Sequence, residues 1–222
     1  MTALLIDVAT SLGLVAISRE GHLLAAKYFP AAFETSRLLF PTLDELMTEQ
    51  NLTPSLLAYI AVGRGPGSYT GVRIAAAAAK AIGFAAARPL VAVSSLEAYV
   101  PASDYSGPFF AAIDAKIGGI YLAEGICRDG TATFISPDEL VPLDVACQKI
   151  TSNHLVVTPT RELLALRLPT ATIIERKPSA EFLSSLAFAA FSRGQISRDG
   201  SIELAYLRRT QAEIENNSGK KG

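Results

Sequence analysis

The sequence predicts an α/β protein of two related lobes, each a meander of three short strands followed by helix and strand crossovers, with the second lobe reduced. Three observations carry this reading. Three strand-like runs open the chain with only turn-length connections; a run apolar on both faces then feeds a glycine loop and an alanine-rich helix; and the same order restarts near Tyr105. Of the 222 residues, 50% are hydrophobic, which is ample for a substantial core.

The first lobe is expected over residues 1–102. Its runs "ALLIDV" (3–8), "LVAIS" (14–18) and "LLAAKYF" (23–29) are separated by "TSLG" and "REGH". Connections this short make the neighbours antiparallel. A helix is predicted from about 34 to 50, with Leu39, Leu43, Leu46 and Met47 at helical spacing and Pro41 as a kink. "LLAYIAV" (56–62) reads as a central parallel strand. A helix over about 70–87, the strand "LVAV" (90–93) and a short helix through "SLEAYV" complete the lobe.

The second lobe, 103–212, repeats the meander with "PFFAAIDA" (108–115), "GGIYLAEGIC" (118–127) and "TATFIS" (131–136). A helix near 142–150, the strand "LVVT" (155–158) and a helix over about 179–193 follow. Two such halves imply an internal duplication whose second copy has eroded. Residues 213–222 are polar and are expected to form a disordered tail.

A net charge of −1 with no long basic run gives no electrostatic footprint for nucleic acid, so RNA contact would need a more basic partner. Cys127 and Cys147 lie in unrelated contexts and read as reduced thiols. The apolar runs are interrupted by Asp7 or are too short to span a bilayer. A soluble, cytoplasmic protein is expected, with no membrane association.

The stretch "VGRGPGSYTGVRIAAAAAKAIG" (62–83) looks like a phosphate loop. No Lys-Ser or Lys-Thr pair follows its last glycine, so it is not a Walker loop. Pro66 removes a backbone donor where a Rossmann loop would want one. Two readings remain: a structural strand-to-helix turn, or a modest anion site. The anion site would use Arg64, Gly65, Gly67, the capping hydroxyl of Ser68 or Thr70, and Arg73, with Asp7 and Thr10 opposite. The following helix is apolar on both sides. Val72, Ala76, Ala79 and Gly83 share one face, and Ile74, Ala78, Ala81 and Ala85 the other. It is either wedged inside the lobe or keeps its small-residue face for another subunit.

The whole set of motifs resembles the TsaB (YeaZ) family of the actin-like ASKHA superfamily, whose ribonuclease H-like fold repeats a βββαβα unit. The resemblance rests on "LLIDVATSLGLVAI", "ETSRLLFPTLDELM", the 63–73 run "GRGPGSYTGVR", "VAVSSLEA", "AAIDAKIGGIYLAE" and "AYLRR", in the family's order. It implies a non-catalytic subunit in threonylcarbamoyladenosine modification of tRNA. Such a subunit would heterodimerise with a TsaD-type transferase, help recruit a TsaE-type ATPase, and meet tRNA only within the complex. The resemblance places the partner contact on the first two helices, and the expected contact residues are Leu39, Leu43, Leu46, Val72, Ala76, Ala79 and Gly83. Alone, the chain would cover such a patch by pairing with a second copy. No cofactor is expected on the isolated chain; ATP or ADP and metal are expected only in the partner subunits or at the joint interface. Val8, Thr35 and Gly119 depart from the family's usual threonine, histidine and glutamate.

Two other classes of function bear weighing. An actin-like kinase or ATPase would use Asp7 and Asp114, each ending an apolar strand, as cleft carboxylates; the commoner fate of such residues is to cap a turn. A glycoprotease-like metallopeptidase would need a metal site. His22 and His154 have no ligand-spaced partner, and no Gly-x-Ser-x-Gly elbow occurs. Lys116, Arg208 and Arg209 complete the set of candidate anion contacts.

Overall fold

The computed structural model describes residues 1–31 and 34–205, with Ile117 described by its backbone alone. The expectations for Arg208, Arg209, the end of "AYLRR" and the 213–222 tail lie outside the described residues.

The first lobe is a five-stranded sheet in the order β3-β2-β1-β4-β5. Its strands are β1 (Thr2–Asp7), β2 (Leu12–Arg19), β3 (His22–Pro30), β4 (Tyr59–Gly63) and β5 (Leu90–Val93). The meander β1–β3 is antiparallel, while β4 and β5 add in parallel. The second sheet, order β11-β10-β6-β7-β8, repeats that plan. It contains β6 (Gly107–Asp114), β7 (Ile120–Arg128), β8 (Thr131–Phe134), β9 (Glu139–Val141), β10 (Leu155–Thr158) and β11 (Thr172–Glu175). β6/β7 and β7/β8 are antiparallel, and β6/β10 and β10/β11 are parallel. The same order with the same directions in both sheets is the actin-like duplication that the sequence predicts.

The second copy is smaller because its helices are short. α1 (Thr35–Glu49) and α2 (Tyr69–Ala86) cover one face of the first sheet with 15 and 18 residues. Their counterparts α3 (Leu143–Lys149) and α4 (Arg161–Ala165) have 7 and 5. α1 runs through Pro41 without interruption. The short elements β9, α4 and β11 were not predicted, since three to five residues carry too little periodicity to announce themselves. The predicted helix through "SLEAYV" is a single 3₁₀ turn, Leu96–Ala98.

α5 (Ala180–Ser192) follows the second lobe in sequence but packs on the inner face of the first sheet. Its Ala180, Leu183, Ala187 and Ala190 join the inner faces of both sheets in one core. Phe191 stacks on Tyr59 at 4.4 Å between ring centroids, and Phe182 meets Phe134 of β8. One buried helix therefore ties the two lobes together.

β8 and β9 share a single edge of β7, β8 against 125–128 and β9 against 120–122. They are the two halves of the counterpart of β3. The break between them, where the Ser136 Oγ accepts the amide of Glu124, delivers Asp138 to the first lobe.

Candidate functional site

The glycine loop joins β4 to α2, and its glycines are needed for close backbone approach. A Cβ on Gly71 would lie 2.1 Å from the Val8 carbonyl oxygen, and one on Gly67 would lie 2.2 Å from that of Ala9. A Cβ on Gly63 would fall 2.4 Å from the Asp7 Cγ. The loop after β1 thus presses directly against the glycine loop. Ser68 donates its amide to the Ala9 carbonyl at 2.7 Å, and its Oγ caps α2 by accepting from the Gly71 amide at 3.2 Å. Of the two predicted caps Ser68 is the one used, and Thr70 is exposed. Arg73 lies over the Tyr69 ring at 4.1 Å.

The remaining polar residues of the loop are drawn into the junction between the lobes. Asp7 is buried, and its carboxylate accepts from the Ala9 amide at 2.9 Å. Burial pushes its pKa up to about 6, against the opposing hydrogen bonds from Ala9 and Ser95. The Gly65 amide donates to the Ser95 Oγ at 3.2 Å. Thr10 shares a hydrogen bond of 2.8 Å with the Tyr99 hydroxyl. Arg64 reaches across to Asp138 at 3.4 Å, and Ser94 donates to the other oxygen of that carboxylate at 2.9 Å. Glu97, on the adjoining 3₁₀ turn, is pushed up to about 7 by burial and then by the Asp138 charge, partly offset by Arg64.

Asp114, the counterpart of Asp7, is held by Arg167. The guanidinium pairs with its carboxylate and also donates to the Lys116 and Gly119 carbonyls, each at 3.1 Å. Arg167 therefore fastens the turn between β6 and β7 to the end of α4. Arg167→Ala is expected to cost about 1–3 kcal/mol, because a half-buried carboxylate loses its partner; a urea melt checks it. Among the described residues no three His, Cys, Asp or Glu side chains lie together so as to hold a metal ion. None of the helices is long and apolar enough to cross a membrane, again among those residues.

The second candidate region, the α1 and α2 surface, requires a correction. Leu39, Leu43, Leu46, Val72, Ala76, Ala79 and Gly83 all point into the chain's own interior. The leucines and Ala79 pack on the first sheet, and Gly83 abuts Leu90. The edge of α2 that carries Val72 is flanked by residues 197–205. Ser197 exchanges both backbone hydrogen bonds with Leu90, Ile202 packs on the α1–α2 core, and the Ala205 amide donates to the Arg64 carbonyl at 2.9 Å. The small-residue face singled out in the sequence is therefore a packing face.

The solvent face of α2 instead carries Thr70, Arg73, Ala77, Lys80, Ala81, Phe84 and Ala85. Phe84 is 92% exposed. On α1, Lys27 of the edge strand β3 pairs with Glu45 and Glu49 on one flank. The opposite flank, towards α2, carries Phe40, 51% exposed. The charged residues Arg73 and Lys80 marked this outer side of α2 in the sequence, and Phe84 follows Lys80 by one turn.

Comparison with known proteins agrees with this architecture. The model of the family described as "TsaD: tRNA N6-adenosine threonylcarbamoyltransferase" matches residues 31–150. The chain is 32% identical over 161 residues to the tRNA threonylcarbamoyladenosine biosynthesis protein TsaB of Haemophilus influenzae, covering 70% of this chain and 68% of that one. It is 31% identical to the protein of the same name from Bacillus subtilis, covering 64% and 63% respectively. Among solved structures, YeaZ from Pseudomonas aeruginosa superposes with a TM-score of 0.73 at 27% identity, covering 91% of this chain and 99% of the other. The duplicated sheets and the family match define an actin-like protein of the TsaD-related group. Within that group, the chain belongs to the TsaB (YeaZ) family.

Proposed function

We propose that the chain serves threonylcarbamoyladenosine biosynthesis on tRNA as a non-catalytic scaffold subunit. In this reading it pairs with a TsaD-type transferase through the outer faces of α1 and α2, helps recruit a TsaE-type ATPase, and meets tRNA only in the assembled complex. The names of its relatives supply the pathway. The observation that carries the scaffold role is the cluster of exposed apolar residues Ala77, Ala81, Phe84 and Ala85 on α2, which folding leaves uncovered. Arg64, the Gly65 amide, the Ser68 hydroxyl and both strand-end aspartates are engaged within the chain, which favours a structural role for them.

The test is co-purification with a TsaD homologue, followed by assay of tRNA modification with each protein omitted in turn. Phe84→Glu is expected to leave stability within about 0.5 kcal/mol, since the ring touches little of its own chain. It is expected to weaken association at least about thirtyfold, or about 2 kcal/mol, as loss of a central aromatic contact does. Ala79→Glu should instead unfold the chain, because that position has no exposure. Undiminished association of the Phe84 variant would remove the surface drawn here. Turnover of ATP by the pure chain alone would favour the kinase or ATPase reading instead.

A further inference from the structure

The strand-end aspartate of the second lobe sits in a turn shaped to hold positive charge. Asp7 and Asp114 fix their turns alike. Each carboxylate accepts the amide two residues on, from Ala9 at 2.9 Å in the first lobe and from Lys116 at 2.9 Å in the second. The lobes then diverge. In the first, the glycine loop presses on the turn. In the second, the counterpart helix α4 has 5 residues, and Arg167 just beyond its end meets the turn. The Arg167 amide donates to the carbonyl of the buried Leu164 at 3.0 Å, which fixes where the side chain starts. One nitrogen of that side chain, Nη1, serves three oxygens: Asp114 Oδ1 and the Lys116 and Gly119 carbonyls, the last two at 3.1 Å. A guanidinium nitrogen carries two hydrogens, so directed hydrogen bonds account for two of the three. The third oxygen is held by charge. The backbone keeps this shape at a cost. Lys116 lies in the left-handed region at φ 59, which lysine seldom adopts. Gly119 has φ 115, and a Cβ there would lie 2.0 Å from the Val141 carbonyl oxygen.

We propose that the β6–β7 turn is a binding site for a monovalent cation, that Arg167 is its tethered occupant, and that potassium takes the place of the guanidinium when that side chain is removed. Among the described residues the cage has one carboxylate and two carbonyls, a single negative charge that matches a singly charged ion. The carbonyls stand 3.1 Å from the central nitrogen. Calcium draws its oxygens to about 2.3–2.6 Å and magnesium to about 2.0–2.1 Å, so the cage suits a larger ion. Carbonyl oxygens are the groups that replace the hydration shell of potassium. The Asp114 side chain is 14% exposed, which leaves one side open for water to complete the coordination. The site rests on the geometry of the turn and is independent of the proposed pathway.

The test is urea unfolding of the full chain, wild type and Arg167→Ala, in potassium chloride and in choline chloride. Both salts are held at about 0.2 M, so that screening is equal. The wild type, whose cage is filled, supplies the baseline for the general effect of each salt. Potassium is expected to stabilise Arg167→Ala beyond that baseline, the folding constant growing about elevenfold when the ion stands at ten times its Kd. Adding Asp114→Asn to the variant should abolish the response, because the cage then carries no charge. Should Arg167→Ala fail to fold, Arg167→Gln takes its place, since it keeps the stem of the side chain and drops the charge. A variant whose midpoint moves between the two salts no more than that of the wild type overturns the proposal. So does a potassium response undiminished by Asp114→Asn, which would put the ion elsewhere.

Discussion

Gly71→Ala is expected to destabilise the protein by about 2–4 kcal/mol, although it lies in the first turn of a helix. In an exposed helix the same substitution gains about 1 kcal/mol from the lost freedom of glycine in the unfolded chain. Here the new methyl carbon would stand 2.1 Å from the Val8 carbonyl oxygen and 3.2 Å from its carbon. Those atoms are backbone of the loop leaving β1, pinned by the hydrogen bonds from Ala9 to Asp7 and from Ser68 to Ala9. They cannot swing aside as a side-chain tip would. Either α2 lifts from the sheet, uncovering Ala75, Ala78 and Ala79, or the β1 loop moves and strands the buried Asp7 carboxylate. Urea unfolding of the variant gives the answer through its midpoint. A rise of about 1 kcal/mol, the ordinary helix effect, would mean that the two loops do not touch. Gly83→Ala is the milder comparison, since the nearest atom there is the Leu90 Cδ2 at 2.7 Å, part of a side chain that can adjust.

How much of this was legible in the sequence depends on the range of the interaction. The first sheet was readable strand by strand because alternation and turn chemistry are local, and the duplication was readable because the order restarts after Tyr105. Which side of α2 faces inward was not. With alanine at Ala75–Ala79 and again at Ala81, Ala85 and Ala86, both sides are apolar, and the hydrophobic pattern gives no direction. Arg73 and Lys80 were the available signal, since a lysine or arginine on a helix against a sheet marks its wet side. The flank lined by residues 197–205 was beyond prediction, because more than a hundred residues separate it from α2. The junction acids were beyond it for the same reason: Asp138 meets Arg64 only because a four-residue break, 135–138, separates β8 from β9. The glycines were read correctly as permitting close approach, but what approaches is the chain's own β1 loop.

The buried acids make the protein's stability depend on pH in the direction opposite to common acid unfolding. A carboxyl group whose pKa is raised on folding stabilises the folded state fully below its unfolded value, and that contribution is lost as pH rises through the folded value. For Asp7 the window runs from the ordinary value of 3.8 up to about 6, and for Glu97 from 4.5 up to about 7. Stability is therefore expected to fall between about pH 4 and pH 7, with Asp7 alone accounting for about 3 kcal/mol at 1.36 kcal/mol per unit. Asp199 moves the other way, held down to about 2 by the Ser201 hydroxyl and amide and the Ser197 hydroxyl; its window lies below 3.8, outside this range. Asp7→Asn separates the two acids. The asparagine oxygen can still accept from the Ala9 amide, and its NH2 can donate to the Ser95 Oγ, so the geometry survives without a buried charge. That variant should be about 2–3 kcal/mol more stable than the wild type at pH 8 and near it at pH 4. Glu97→Gln should flatten only the upper part of the curve. Urea melts at half-unit pH steps resolve the two. An Asp7→Asn variant that is less stable than the wild type at pH 8 would show that the carboxylate is charged at little cost, held by hydrogen bonds stronger than its burial.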